Sequence, residues 1–229
     1  MDLRERVANL MRQVRPELAE LVAIQSVADP RQFPPEECAR AARWVLDAFA
    51  GAGFSDARLA DMADGSHAVL GTRPGPDPDA PTVLLYAHYD VQPPLNEADW
   101  RTPPFELTEV DGRWYGRGAA DCKGNILMHL TALRALGDEV PVNLKLVVEG
   151  SEETTGALEG FVPGHADLLR ADAILVCDAL APQPNDLGVR LWRHHIVVVI
   201  ARPDAFVGVV HGARLQLATD RFGKTSRLF

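Results

Sequence analysis

With 229 residues, 47% of them hydrophobic and 24% charged, the chain can bury a real core as one large or two small domains and is too apolar for a disordered one. Its net charge of −9 argues against nucleic acid or anionic membrane as a partner, because both select basic surfaces. No apolar stretch reaches the length of a membrane span, and the opening Met1-Asp2-Leu3-Arg4-Glu5-Arg6 lacks a signal-peptide core, so a cytoplasmic protein is expected.

Leu3, Val7, Leu10, Met11, Val14, Leu18, Leu21 and Val22 recur at helical spacing and predict an opening amphipathic helix, with a bend near Pro16. A second helix is expected to start at Pro34-Pro35, with Glu36 and Glu37 favouring its positive end, and to stop at Gly51 and Gly53. Two short extended pieces follow, around residues 58–60 and 68–70, then a Pro/Gly/Asp loop over 74–81. Residues 82–87 are a continuous apolar run of strand length, which predicts a strand covered on both faces. A loop rich in proline and tryptophan leads to the glycine-dense stretch 112–118, and a helix is predicted over 123–136, ending at Gly137. Residues 142–148 and 173–176 read as two more buried strands, separated by a short helical piece holding Leu158, Phe161 and Leu168-Leu169. Alternation of this kind predicts an α/β fold with a mostly parallel central sheet flanked by helices. Ligands of such sheets sit beyond the carboxyl ends of the strands.

Those ends carry acid and imidazole. The first strand runs into His88 and Asp90, the second into Glu149-Gly150-Ser151-Glu152-Glu153, the third into Cys177-Asp178, and the glycine loop delivers Asp121. Each has an ordinary explanation taken singly: a polar turn for the His-x-Asp pair, a solvated turn for Glu152-Glu153, a helix N-cap for Asp121, a cap or turn for Asp178. Together they point elsewhere. Converging carboxylates repel one another unless a cation sits among them, and a pair of divalent ions resolves that conflict. Imidazole and carboxylate are ligands that suit zinc, with one group of a His-x-Asp pair on the ion and the other behind it as orienter.

Cys38, Cys122 and Cys177 are odd in number, widely spaced and form no C-x-x-C pair, so neither a disulfide framework nor a zinc finger is expected. Charge is unevenly spread. Of 23 basic and 32 acidic residues, seven and two respectively lie from Arg190 onward, and such a reversal marks a boundary.

Tyr86-Ala87-His88-Tyr89-Asp90-Val91-Gln92-Pro93, Trp100-Arg101-Thr102-Pro103-Pro104-Phe105, the stretch 112–124 and Glu149-Gly150-Ser151-Glu152-Glu153 stand in an order and spacing that resemble the carnosine dipeptidase and cytosolic non-specific dipeptidase group. That group sits within the wider family of acetylornithine deacetylases, succinyl-diaminopimelate desuccinylases and glutamate carboxypeptidases. The resemblance, over residues 1–186, implies a hydrolase with two Zn2+ per complete site, Mn2+ or Co2+ being alternatives. It implies that His88 and Asp178 bind one ion, Glu153 the other, and Asp121 bridges them. Asp90 would orient His88, and Glu152 would be the general base. No covalent intermediate is implied, and the peptide bond after Asp121 is expected to be cis. The Val91-Gln92-Pro93 form favours small peptides as substrate; an N-acyl amino acid deacylase using the same chemistry, or a non-catalytic metal-binding fragment, are the alternatives.

Two departures stand out. Cys122 occupies a position where the family usually has an acid or amide, a change expected to be neutral. Residues 1–188 would be the N-terminal part of the catalytic domain and 189–229 an atypical basic tail. The family's lid and dimerisation domain, with its oxyanion histidine, and the last metal-binding histidine would lie beyond Phe229. His194, His195 and His211 are poor substitutes because no motif surrounds them. Impaired turnover by this chain alone is therefore expected, and a truncated or frameshifted reading frame would account for the tail.

Overall fold

The computed structural model describes residues 1–176 and the backbone of three later strands, Ile196–Ile200, Phe206–His211 and Arg214–Leu217. Helix α1 (Leu3–Ala23) starts with a capping box: the Asp2 carboxylate accepts from Glu5 N at 2.8 Å, and Asp2 N donates back to Glu5 at 3.2 Å. It runs through Pro16 as one helix and buries Val14, Leu18, Leu21 and Val22. Helix α2 (Pro35–Gly51) has proline in its first turn with Glu36 and Glu37 beside it, and buries Ala41, Ala42, Val45 and Phe49.

The strands are β1 (Arg58–Asp61), β2 (His67–Arg73), β3 (Thr82–His88), β4 (Thr108–Val110) and β5 (Arg113–Tyr115); helix α3 (Lys123–Leu136) follows, then β6 (Asn143–Glu149), helices α4 (Ala157–Phe161) and α5 (Ala166–Leu169), β7 (Ala173–Val176) and β8 to β10, the three later strands named above. The main sheet has the order β1-β2-β6-β3-β7-β8-β9-β10. Its centre, β6-β3-β7, is parallel, with Ala87 level with Val148 and His88 with Glu149. Both flanks are antiparallel, so the α/β reading holds and the parallel part is the centre rather than the whole sheet. Strands β4 and β5 form a separate hairpin turning on Asp111-Gly112, both at positive φ, where Asp-Gly suits a two-residue turn.

Successive residues of β3 face opposite ways, as a pleated strand requires. Leu85 and Ala87 join the larger core beneath α1, α2 and α3, while Leu84 and Tyr86 face a smaller cluster under α4 and α5. The first-named core is anchored by Phe49 and Phe54, both fully buried and packed edge to face at 5.6 Å. Phe49→Ala should cost about 3–5 kcal/mol, the usual range for a truncated buried phenylalanine, measurable as a fall in urea midpoint with an unchanged slope. Among the described residues no helix is long and apolar enough to cross a membrane.

Candidate metal centre at the strand ends

The parallel centre of the sheet brings the ends of β3 and β6 side by side, because their register pairs His88 with Glu149. The chain leaving β3 is then fixed from several sides. Tyr89 N donates to Glu149 O at 2.9 Å, Ser26 Oγ to Tyr89 O at 2.7 Å, and Val91 N to Ser26 O at 3.0 Å. The Tyr89 hydroxyl donates to His67 O at 2.7 Å. Its ring lies so close to Gly150 that any Cβ there would collide with it. Gly150→Ala should therefore cost about 1–3 kcal/mol through overpacking, read as a lowered melting temperature.

His88 and Asp90 are both fully buried. His88 Nδ1 faces Asp90, 3.0 Å from its carbonyl oxygen and 3.3 Å from Oδ1. On the other side of the ring, His88 Nε2 lies 3.0 Å from Asp121 Oδ1 and 3.8 Å from Glu152 Oε2. Burial alone would pull the pKa of this imidazole down, yet the Asp121 and Asp90 carboxylates outweigh it and hold it well above its ordinary value.

Asp90 also organises the loop after β6. Its Oδ1 accepts from Glu152 N at 3.2 Å and its Oδ2 from Glu153 N at 3.0 Å. One buried carboxylate thus sets the imidazole and the backbone of both glutamates. Glu153 Oε2 in turn accepts from Gln92 Nε2 at 2.8 Å. Behind them Tyr86 donates its hydroxyl to Glu149 at 2.5 Å, and burial raises the pKa of the Glu149 carboxyl.

Asp121 stands just before α3, and the Asp121–Cys122 peptide bond is cis, as the resemblance implied. Cys122 is fully buried and its Sγ accepts from Asn125 Nδ2 at 3.2 Å. Lys123, also fully buried, donates to Ile24 O at 2.6 Å and ties α3 to the end of α1; burial lowers its pKa to about 7.

His88, Asp90, Asp121 and Glu152 thus come together, and Glu153 follows on the same loop through Asp90. Asp178 lies outside the described residues, as do His194 and His195, and of His211 only the backbone is described. His67 pairs with Asp61 at 3.1 Å, His129 lies 3.0 Å from Tyr86 O, and His165 stacks on Phe161, so none of the three joins the cluster. Among the described residues no three donors converge on one point. The pair that does face each other, His88 Nε2 and Asp121 Oδ1, is of the type zinc takes, and the far nitrogen of the ring is braced by a carboxylate as in metal-bound imidazoles. In donor type this pair therefore suits a divalent ion. Sequence reasoning passed over Gln92 as a site residue, since an amide in a loop carries no chemical signature until its partner is known.

Residues 84–214 match the family model described as Peptidase family M20/M25/M40. The chain belongs to this family. The match runs past the charge reversal at Arg190. Over 168 residues the chain is 42% identical to a cysteinylglycine-S-conjugate dipeptidase of Corynebacterium striatum, covering 71% of this chain and 36% of that protein. It is 39% identical over 168 residues to the beta-Ala-His dipeptidase of Mus musculus, covering 69% of this chain and 34% of that one. Human carnosine dipeptidase 1 superimposes with a TM-score of 0.66 at 33% identity, over 78% of this chain and 41% of the human one. The chain spans about a third of the length of these two curated relatives.

Proposed function

We propose that this chain carries part of the metal centre of a dipeptidase, a hydrolase that cleaves the peptide bond of small peptides by attack of water. One observation carries the reading: buried His88 is clasped between Asp90 and Asp121, and the same Asp90 holds the backbone of Glu152 and Glu153. The relatives named as dipeptidases support the choice of substrate class.

In this reading His88, Asp121, Glu153 and Asp178 would hold two Zn2+, with Mn2+ or Co2+ as alternatives. A bound zinc polarises the scissile carbonyl and lowers the pKa of water from 15.7 to about 7. The remaining work falls to the protein. Asp90 keeps His88 in one ring orientation, so that Nε2 is turned to the ion and Nδ1 to the carboxylate. Glu152, 3.8 Å from His88 Nε2 through Oε2, takes a proton from the attacking water and returns it to the leaving amine. Residues 1–188 carry all of these groups.

The test is metal content of the full chain by mass spectrometry, followed by hydrolysis of dipeptides and of N-acetyl amino acids with added zinc or manganese. Bound metal with weak dipeptide turnover is the expected result. Turnover confined to N-acetyl amino acids would replace the substrate class, and bound metal without turnover would make the chain a metal-binding fragment.

A further inference from the structure

We propose that Gln92 is a positioning residue of the metal centre, holding the Glu153 carboxylate so that one oxygen is committed to the amide and the other is left for the ion. This rests on the reading of Glu153 as a metal ligand.

Gln92 Nε2 donates twice, and both hydrogens go to the same residue: to Glu153 Oε2 at 2.8 Å and to Glu153 O at 2.9 Å. Both donors of the amide nitrogen are thereby used. Holding backbone and side chain of one glutamate together removes the rotamer freedom that a ligand must otherwise give up when it binds an ion. Glu153 N donates to Asp90 Oδ2 at 3.0 Å, so the residue is fixed from both ends, by Asp90 and by Gln92.

Gln92 itself stands on a rigid bracket. On one side Val91 is buried and donates its N–H to Ser26 O at 3.0 Å. On the other, Arg117 donates to Pro93 O at 3.2 Å and lies over the Trp100 ring at 4.9 Å, while Trp100 Nε1 donates to Pro94 O at 2.9 Å. An amide is the side chain that suits the position. A carboxylate would repel Glu153, and an ammonium would neutralise the charge the ion needs, whereas a neutral donor orients the carboxylate and leaves its charge intact.

The experiment measures zinc affinity of the full chain by competition with a chromogenic chelator, for the wild type, Gln92→Met, Glu153→Ala and the double variant. Methionine keeps length and volume but has no donor. Gln92→Met is expected to weaken zinc binding about 10- to 100-fold, the usual effect of removing a partner of a ligand. The double variant should bind no more weakly than Glu153→Ala, because the two residues act as one unit. The metal-free melting temperature, which a merely structural role would lower, should stay where it is. Wild-type affinity in Gln92→Met beside weakened Glu153→Ala would overturn the inference and leave the reading of Glu153 standing. Further loss in the double variant, or a lowered metal-free melting temperature in Gln92→Met, would also overturn it. If Glu153→Ala binds like the wild type, or the wild type takes up no zinc, the metal reading of Glu153 fails and the inference goes with it.

Discussion

Glu152→Gln is expected to lower dipeptide turnover by a factor of about 10²–10⁴ while leaving the zinc content of the protein unchanged, because general-base assistance has roughly that worth. Glutamine has the size of the residue it replaces and keeps the backbone N–H that donates to Asp90 Oδ1. What it loses is the ability to accept a proton. Glu152 Oε2 lies 3.8 Å from His88 Nε2, on the side of the ring that faces Asp121, so its carboxylate stands beside the pair assigned to the ion. Steady-state kinetics beside metal analysis separates the two roles. A fall in kcat with KM and metal content held makes Glu152 a proton carrier, and loss of zinc would make it a ligand.

Asp90→Ala should be the more damaging change to the protein as a whole. Asp90 is fully buried, and its two oxygens accept from Glu152 N and Glu153 N while facing His88 Nδ1. Truncation leaves two backbone donors without their acceptor and takes the carboxylate away from the ring, whose Nδ1 keeps the Asp90 carbonyl at 3.0 Å. At about 1–3 kcal/mol for each of the two part-buried donors left unsatisfied, a loss of about 2–6 kcal/mol is expected in urea denaturation. Zinc affinity should fall about 10- to 100-fold as well, since the imidazole loses its carboxylate partner. Asp90→Asn keeps shape and one acceptor and is expected to fall between the two. If Asp90→Ala unfolds the protein without changing zinc affinity in the folded fraction, Asp90 is structural only.

Much of this was legible before the fold was known, for identifiable reasons. The three long helices announced themselves through periodicity and through end signals such as the prolines of α2 and Gly137 after α3. The apolar run of β3 gave a strand covered on both faces, as found. Pro16 sits inside α1, which runs on to Ala23. The antiparallel flanks were not legible, because which neighbour an edge strand takes depends on tertiary packing more than on its own residues. Strands β4 and β5 are three residues each, too short for alternation to show, although Asp111-Gly112 between them carried a turn signal.

At the site, the meeting of His88 and Asp121 was readable because the strand ends restrict where such side chains can gather. The double duty of Asp90 was only half readable. Its facing of His88 follows from the His-x-Asp spacing, but its grip on two backbone amides from a loop 62 and 63 residues away in sequence follows only from the parallel pairing of β3 with β6. The hold of Gln92 on Glu153 was invisible for the same reason, since the two lie 61 residues apart.

The most direct measurement is a zinc anomalous difference map from crystals of the full chain grown with Zn2+. A peak is expected about 2.0–2.2 Å from both His88 Nε2 and an Asp121 carboxylate oxygen, the ordinary bond lengths for such ligands. Zinc bound only elsewhere, with His88 and Asp121 still in direct contact, would contradict it.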